Sequence, residues 1–480
     1  GLRIDWLNRE TCCMRIYNYK SCKWPLLVIS FLVLLIGCKP RQQQLITGVN
    51  ASKDTVRLQI PSHKLENAKD LDVILSAIGD AKVVLLGEAT HGTHEFYTWR
   101  TLISQRLIQE KGFDFIAVEG EWADSYRVNQ FIKGKQQDTA ATFQLLQQYN
   151  RWPTWMWGNY EVASLVQWLN NYNQGKDAKS KIGFYGLDVY CLWESMTEIM
   201  PYLPHTHSTL QQAAKKVHEC FQPYSSDAVE YARAVMNTEA TCRQETGRLW
   251  NAVEKLATSP DMDLESKFVI QQNALVAYNG ERYYRSMATD DNESWNIRDR
   301  HMAQTLRRLL DFHGNDTKAI IWEHNTHVGD ARYTDMVQAG QTNVGELARK
   351  EYGENNVFIV GFGTHSGTVI AAQQWGAPYQ VMTVPPAQEG SWEALLNKTG
   401  AHNKILLSRE LQAAKVFNNR IGHRAIGVVY HPQREQYGNY VPSILTKRYD
   451  AFIYIDKTKA LHPIKTKVNN EPPDTYPSGY

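Results

Sequence analysis

The sequence predicts an α/β fold, with a largely parallel central sheet, flanking helices and an inserted all-helical lid subdomain. Three features predict it. Short apolar runs bounded by Gly, Asp or Asn recur through the body of the chain, as strands covered on both faces require. Amphipathic stretches separate the early runs, which is the alternation of an α/β domain. From about Ser208 to His313 the strand-like runs stop.

The N-terminal segment comes first. Arg15, Lys20 and Lys23 precede the apolar run Trp24–Ile36, which is too short to cross a bilayer comfortably as a helix. The following Leu35-Ile36-Gly37-Cys38 looks like a bacterial lipobox. A basic region, a short apolar stretch and small residues at the cut mark a secretory signal. Residues 14–37 therefore read as a lipoprotein signal peptide and Cys38 as the lipid-bearing residue, with a plain signal-anchor helix as the other reading. Met14 stands where such a signal would begin, so Gly1–Cys13 read as leader sequence outside the protein proper. Residues 38–62, polar and Gln-rich around Arg41–Lys53, read as a tether. The expected partner is a bilayer, reached through acylated Cys38, and the expected place is a bacterial membrane, facing the periplasm or the cell exterior.

The predicted strands are Lys82–Gly87, Phe115–Glu119, Ile182–Asp188, Ala319–His324, Val357–Gly363, Ala425–Tyr430 and Ala451–Ile455. Glu95–Glu110 and Glu161–Tyr172 read as helices between them. Leu210, Ala213, Ala214, Val217 and Phe221 repeat at helical spacing, as do Phe268, Leu275 and Tyr278, which suggests about three or four inserted helices. The α/β catalytic domain is then expected at 63–207 and 292–456, the insertion at 208–291 and a tail at 457–480. An insertion at one sheet edge is either a lid or a helical layer that completes the core.

A formal charge of +2 with 21% charged residues carries no basic stripe of the kind that nucleic acid demands. No protein partner is expected either. The 14 Trp and 25 Tyr must largely fill core, the other use being an aromatic-lined pocket. Of seven cysteines, Cys191, Cys220 and Cys242 lie in the body. They are too few for a disulfide framework, and a Cys220–Cys242 bridge stays open.

Chemistry collects in Gly87-Glu88-Ala89-Thr90-His91-Gly92-Thr93-His94-Glu95, continuing to Arg100, just where the first long strand stops. Ligands of open α/β sheets bind at the carboxyl ends of strands. Glycines bracketing Glu88 and His91 permit tight backbone turns. Histidine exchanges protons near neutrality, and a neighbouring carboxylate orients the ring and stabilises the imidazolium. Later strands end alike: Glu119 closes the second, Asp188 the third, His324 and His327 follow the fourth, and His365 follows the fifth. One polar residue at a strand end is commonly a cap or turn former; five successive ends each bringing a His or an acid indicate an active site.

Three reaction classes compete. A serine hydrolase would carry Gly-x-Ser-x-Gly, but Gly363-Thr-His-Ser-Gly367 sets Ser366 one place too late; Cys191 reads as a small buried residue. A metal-dependent hydrolase or peptidase could draw on Glu88, His91, His94, His324 and His327, although the His-Glu-x-x-His helix motif is absent. General-base attack by water needs one His, an orienting acid and a donor for the oxyanion. A non-catalytic lipoprotein binding an apolar ligand in an aromatic cleft is the remaining alternative.

Gly87-Glu-Ala-Thr-His-Gly92 with Glu95-Phe96 and Arg100 resembles the opening motif of the erythromycin esterase family. The resemblance continues through Phe115–Glu119, Tyr185–Asp188, Asn296–Met302, His324–His327 and Glu389–Ser391, covering nearly all of residues 70–455. It implies hydrolysis of the macrolactone ester of 14-membered macrolides, hence macrolide resistance, with no cofactor and no essential metal. It also implies His91 as general base. Glu88 and Glu119 would orient or tune the base and its water. Arg100 and His324 would steady the acyl oxygen or the carboxylates. His327, Arg298 and Asp299, with Asp188 and His365, are candidates for substrate binding. A non-antibiotic ester is the alternative substrate.

Overall fold

Val83–Leu86, Phe115–Val118 and Ala319–Trp322 send alternate side chains to opposite faces, and both faces are apolar. Val84, Leu86, Ile116, Val118, Ile320 and Trp322 join one core layer. Val83, Leu85, Phe115, Ala117, Ala319 and Ile321 join the other. Strands buried on both faces in this way are what parallel sheets contain.

The computed structural model describes residues 60–464, apart from 204–207, 225–227, 239–240, 259–261 and 288. The expected leader, signal peptide, Cys38, the tether as far as residue 59 and residues 465–480 of the tail lie outside the described residues.

The strands are β1 (His63–Lys64), β2 (Val83–Leu86), β3 (Phe115–Glu121), β4 (Gly183–Asp188), β5 (Ala319–Trp322), β6 (Val357–Ala371), β7 (Gln380–Val384), β8 (Lys404–Leu407), β9 (Ile421–Arg424), β10 (Tyr440–Ser443) and β11 (Ala451–Thr458). The main sheet runs β1-β8-β11-β6-β2-β5-β3-β4, with β7 paired to β6. From β11 to β4 every pairing is parallel. β8, β1 and β7 attach antiparallel, and β9 and β10 form a separate hairpin.

The helices of the first half are α1 (Asp72–Ile78), α2 (His94–Lys111), α3 (Trp122–Lys133), α4 (Thr139–Leu146) and α5 (Tyr160–Tyr172). Asn159 starts α5 by accepting the Val162 N–H, the usual N-cap bond. Between β4 and β5 come α6 (Leu192–Ile199), α7 (Ser208–Phe221), α8 (Ala228–Thr238), α9 (Arg243–Glu254), α10 (Leu264–Met287) and α11 (Asp291–His313). α10 packs against α6, α8, α9 and α11 at the β4 edge of the sheet. Leu210, Ala214, Val217, Phe221, Leu249 and Ala274 bury a core of their own there. A disulfide joins Cys220, near the end of α7, to Cys242, just ahead of α9; Cys191 is free and buried.

Three expectations change. Ala425–Tyr430 is not a strand. Its backbone serves two separate segments, Ile426 N–H donating to Ala89 O and Tyr430 N–H to Ala372 O, so it forms isolated bridges. β6 does not stop at Gly363 but runs on to Ala371, because β7 pairs with its far half. His365 therefore lies inside a strand. The last strand continues to Thr458, and the following residues pack back on the domain, Leu461 N–H donating to Gly92 O and Tyr160 N–H to His462 O.

Candidate active site

Glu88 and His91 sit on the turn between β2 and α2, and this turn is pinned from four sides. Glu88 O accepts Asn325 N–H, Ala89 O accepts Ile426 N–H, and Gly92 O accepts both Ile370 N–H and Leu461 N–H. Its glycines do not supply unusual backbone angles, since neither Gly87 nor Gly92 has a positive φ. They permit close approach instead: a Cβ on Gly87 would meet Asn325 Oδ1 at 2.2 Å, and one on Gly92 would meet Ile370 O at 1.9 Å.

Within this turn three side chains form a chain. Arg100 Nη2 donates to Glu88 Oε2 at 2.7 Å, and Glu88 Oε1 lies 2.9 Å from His91 Nδ1. Arg100 is fully buried between the Tyr97 and Trp322 rings, 4.5 and 4.6 Å from their centroids. It thus steadies a carboxylate and does not line the cavity. With Nδ1 engaged, Nε2 is the His91 nitrogen left for substrate or water.

His324 lies beside this ring, 4.8 Å away between centroids. Its Nδ1 accepts the Thr326 backbone N–H, so the neutral ring carries its proton on Nε2, which is buried and unpartnered. Burial, with His91 next to it, holds its pKa well below the usual histidine value. The ring is a neutral donor.

Glu119 ends the regular part of β3. The register shifts between Val118 and Glu121, a bulge of the kind that re-aims side chains. Glu119 Oε2 accepts His324 N–H and Oε1 accepts Arg298 Nη2, each at 2.7 Å. Burial opposes its charge, but His327, His91 and Arg298 outweigh that and keep the carboxyl ionised. Arg298, on α11, also grips Asp188 through two bonds of 3.0 and 2.7 Å. Asp299 faces His327 Nδ1 at 2.9 Å. Burial disfavours a charged His327, yet Asp299 and Glu119 carry its pKa up to about 10. Arg298 Nη1 lies 3.0 Å from His327 Nε2, a contact that only the neutral ring makes as a hydrogen bond, so acids and guanidinium compete over this proton. Glu323, fully buried with neither oxygen hydrogen-bonded, is pushed far up by burial and stands as the neutral acid.

These groups border a partly open cavity. His91, Glu119, Asp188 and Arg298 line it together with Glu121, Tyr149, Arg151, Trp157, Tyr190 and Trp375. Glu88, Arg100, His324, His327 and Asp299 stand behind that wall. His365 stays apart: it is half-buried in β6, and Asp456, Arg424 and Glu393 are the charges that act on it. Of the lining residues, the last six named come from places that sequence reasoning passed over. The signal available was the aromatic run Arg151-Trp-Pro-Thr-Trp-Met-Trp157, which has no helical or strand period. Glu121 is the most telling of the six, because burial pushes its pKa up to about 7 against the pull of Arg151. Among the described residues, the set of His and acid donor atoms within 4.8 Å of one another is His94, Glu161 and His462, outside this cavity.

A buried Arg–Glu–His chain thus stands beside a cavity at the carboxyl end of a parallel sheet, where ligands of such sheets bind. The family model for erythromycin esterase matches residues 108–458. The chain belongs to the erythromycin esterase family of hydrolases. It is similar to the erythromycin esterase type II of Escherichia coli, 22% identical over 377 residues, which span 73% of this chain and 86% of that one. A succinoglycan biosynthesis protein shares its fold, with a TM-score of 0.65 and 20% identity over 84% of this chain and 95% of that one. So does a His-to-Asn mutant of the erythromycin esterase EreC in its open conformation, with a TM-score of 0.63 and 15% identity over 84% and 97%.

Proposed function

We propose that this protein hydrolyses a carboxylic ester with water deprotonated by His91, and that the macrolactone of 14-membered macrolides is the substrate, which would confer resistance. The observation that carries the reading is the Arg100–Glu88–His91 chain facing a cavity whose described lining contains no Ser, Thr or Cys. Burial drives the one free body cysteine, Cys191, up to about 12, so it is no thiolate nucleophile.

In the reaction, His91 Nε2 takes a proton from water as the oxygen attacks the acyl carbon. His324, whose ring lies beside that of His91 with its proton on Nε2, is the donor this reading assigns to the oxyanion. As the tetrahedral adduct collapses, the C–O bond breaks and the alkoxide regains a proton, from His91 or from Glu121, which burial keeps protonated into the neutral range. Glu88, held ionised by Arg100, stabilises the imidazolium between these steps. The Cys220–Cys242 disulfide supports an oxidising compartment, in keeping with an acylated Cys38 facing the periplasm or the exterior. Among the described residues, the helices of residues 208–291 reach the cavity wall at Tyr190, whose carbonyl accepts the Tyr284 hydroxyl at 2.7 Å. A lid role rests on that link and on EreC having a conformation described as open.

The test is incubation with erythromycin and a panel of other esters in H₂¹⁸O. The product should gain one labelled water, and His91→Ala should lose about 10²–10⁴-fold in turnover while binding survives. Full activity is expected after exhaustive dialysis against EDTA. Activity lost to EDTA and restored by Zn²⁺ or Mn²⁺ would overturn the reading and make His91 a ligand.

A further inference from the structure

His94 opens α2, Glu161 lies in the first turn of α5, and His462 follows the last strand, so residues far apart in the chain meet at one point. Two isolated backbone bridges frame that point, Thr93 to Ala460 and Asn159 to Pro463. Both imidazole Nδ1 atoms lie 2.6 Å from the same oxygen, Glu161 Oε1, and the rings meet edge to face at 5.2 Å. All three donor atoms fall within 4.8 Å of one another. The carboxylate is buried, whereas the His94 and His462 side chains are 33% and 61% exposed. The cluster is therefore anchored from below and open to solvent above.

We propose that His94, Glu161 and His462 form a binding site for a divalent transition-metal ion, Zn²⁺ foremost, which fastens residues 459–464 to α2 and α5. Two imidazole nitrogens and a carboxylate oxygen, with the remaining positions left to water, are a zinc donor set. Zn–N and Zn–O bonds of about 2.0–2.1 Å hold donors roughly 3.3 Å apart in a tetrahedron, a spacing these rings reach by small rotations away from the shared oxygen. The ion replaces the ring protons now aimed at Glu161, and each Nε2–H turns to water. Its position has a use. Gly92 O accepts Leu461 N–H and Lys459 O accepts His94 N–H, so the same stretch of chain braces the turn that carries His91. The ion takes no part in the chemistry and lies outside the cavity.

The test uses the full chain, freed of metal by chelation and titrated with ZnCl₂ and CoCl₂ by calorimetry and by cobalt absorption. One ion should bind per chain and raise the thermal midpoint. His462→Ala and the size-conserving His462→Gln should each weaken binding by at least about tenfold, as expected when a metal loses a supporting group, and should lose the thermal shift. Circular dichroism of the metal-free variants checks that both fold. His91→Ala should bind as wild type does, which separates this site from a metal-dependent active site. The proposal is overturned by absence of one-to-one binding, by wild-type affinity in either His462 variant, or by binding lost in His91→Ala and kept in His462→Ala.

Discussion

Replacing Glu88 by Gln tests the centre most sharply, because the two oxygens of Glu88 have different duties. Oε1 faces His91 Nδ1 and Oε2 faces Arg100 Nη2. An amide has one oxygen, so one of these contacts must become donor against donor. In either orientation the fully buried guanidinium loses its counter-charge, and an NH₂ group facing Arg100 also removes its acceptor; Arg100 Nε and Nη1 already have no partner. Breaking one side of a buried ion pair costs about 3–5 kcal/mol. If the NH₂ group faces His91, the ring must accept at Nδ1 and carry its proton on Nε2, where it can no longer take one from water. Turnover should fall by roughly 10⁴-fold, the scale seen when an amide replaces the carboxylate behind a catalytic imidazole. Adding Arg100→Met removes the stranded charge, so the double variant should recover roughly half or more of the lost stability while its turnover stays low. Urea unfolding followed by tryptophan fluorescence reads the first quantity, and ester hydrolysis followed by mass reads the second. The reasoning fails if Glu88→Gln unfolds within about 1 kcal/mol of wild type, or if the double variant regains activity.

Three further outcomes follow. Glu121 titrates at about 7 in the folded protein, against 4.5 as its ordinary value. The unfolded chain therefore releases this proton first, and stability declines as pH rises from 4.5 to 7, by about 3 kcal/mol at 1.36 per unit. Glu121→Gln should flatten that slope; a wild-type slope in urea midpoints across this window would refute the assignment. Asp124, pushed up to about 6 by burial, adds its own decline at lower pH and stays in both proteins. Tyr284→Phe removes the hydroxyl bond to the Tyr190 carbonyl, worth about 1 kcal/mol; KM should rise up to about fivefold with kcat retained, whereas a lower Tm with unchanged kinetics would make the helical layer plain core. Cys38→Ala should abolish incorporation of radiolabelled palmitate, and a wild-type protein recovered from the cytosol with an intact N-terminus would refute the anchor.

The central strands were legible because both of their faces are buried, which leaves continuous apolar runs such as Val83–Leu86 and Ala319–Trp322. β7, with its mostly exposed Gln380–Val384, has no such run, and β9 at Ile421–Arg424 carries a His and an Arg; only pairing reveals them. Ala425–Tyr430 has the composition of a buried strand, and composition does not report that its hydrogen bonds go to two different segments. Glu88, His91, Glu119 and Asp188 were legible as polar residues ending apolar runs. The duty of Arg100 was not, since it depends on which face of α2 turns toward Glu88. Glu121 owes its place to a bulge, and Arg151, Trp157 and Trp375 owe theirs to irregular backbone; neither leaves a period to read.

β11 is the last strand among the described residues, yet it lies inside the sheet between β6 and β8. While the ribosome is still making residues 372–450, β6 therefore has an open apolar flank, and β8 and β1 have no route to the rest of the sheet. Unpaired edges of this kind recruit other chains, and pairing across such sequence distance is slow. A message cut short in that interval should yield a polypeptide with this edge of the sheet unpaired, and such edges favour aggregation. Synthesis from the N-terminus cannot complete this sheet piecemeal; the final strand closes it in one late step, after residue 458 has emerged.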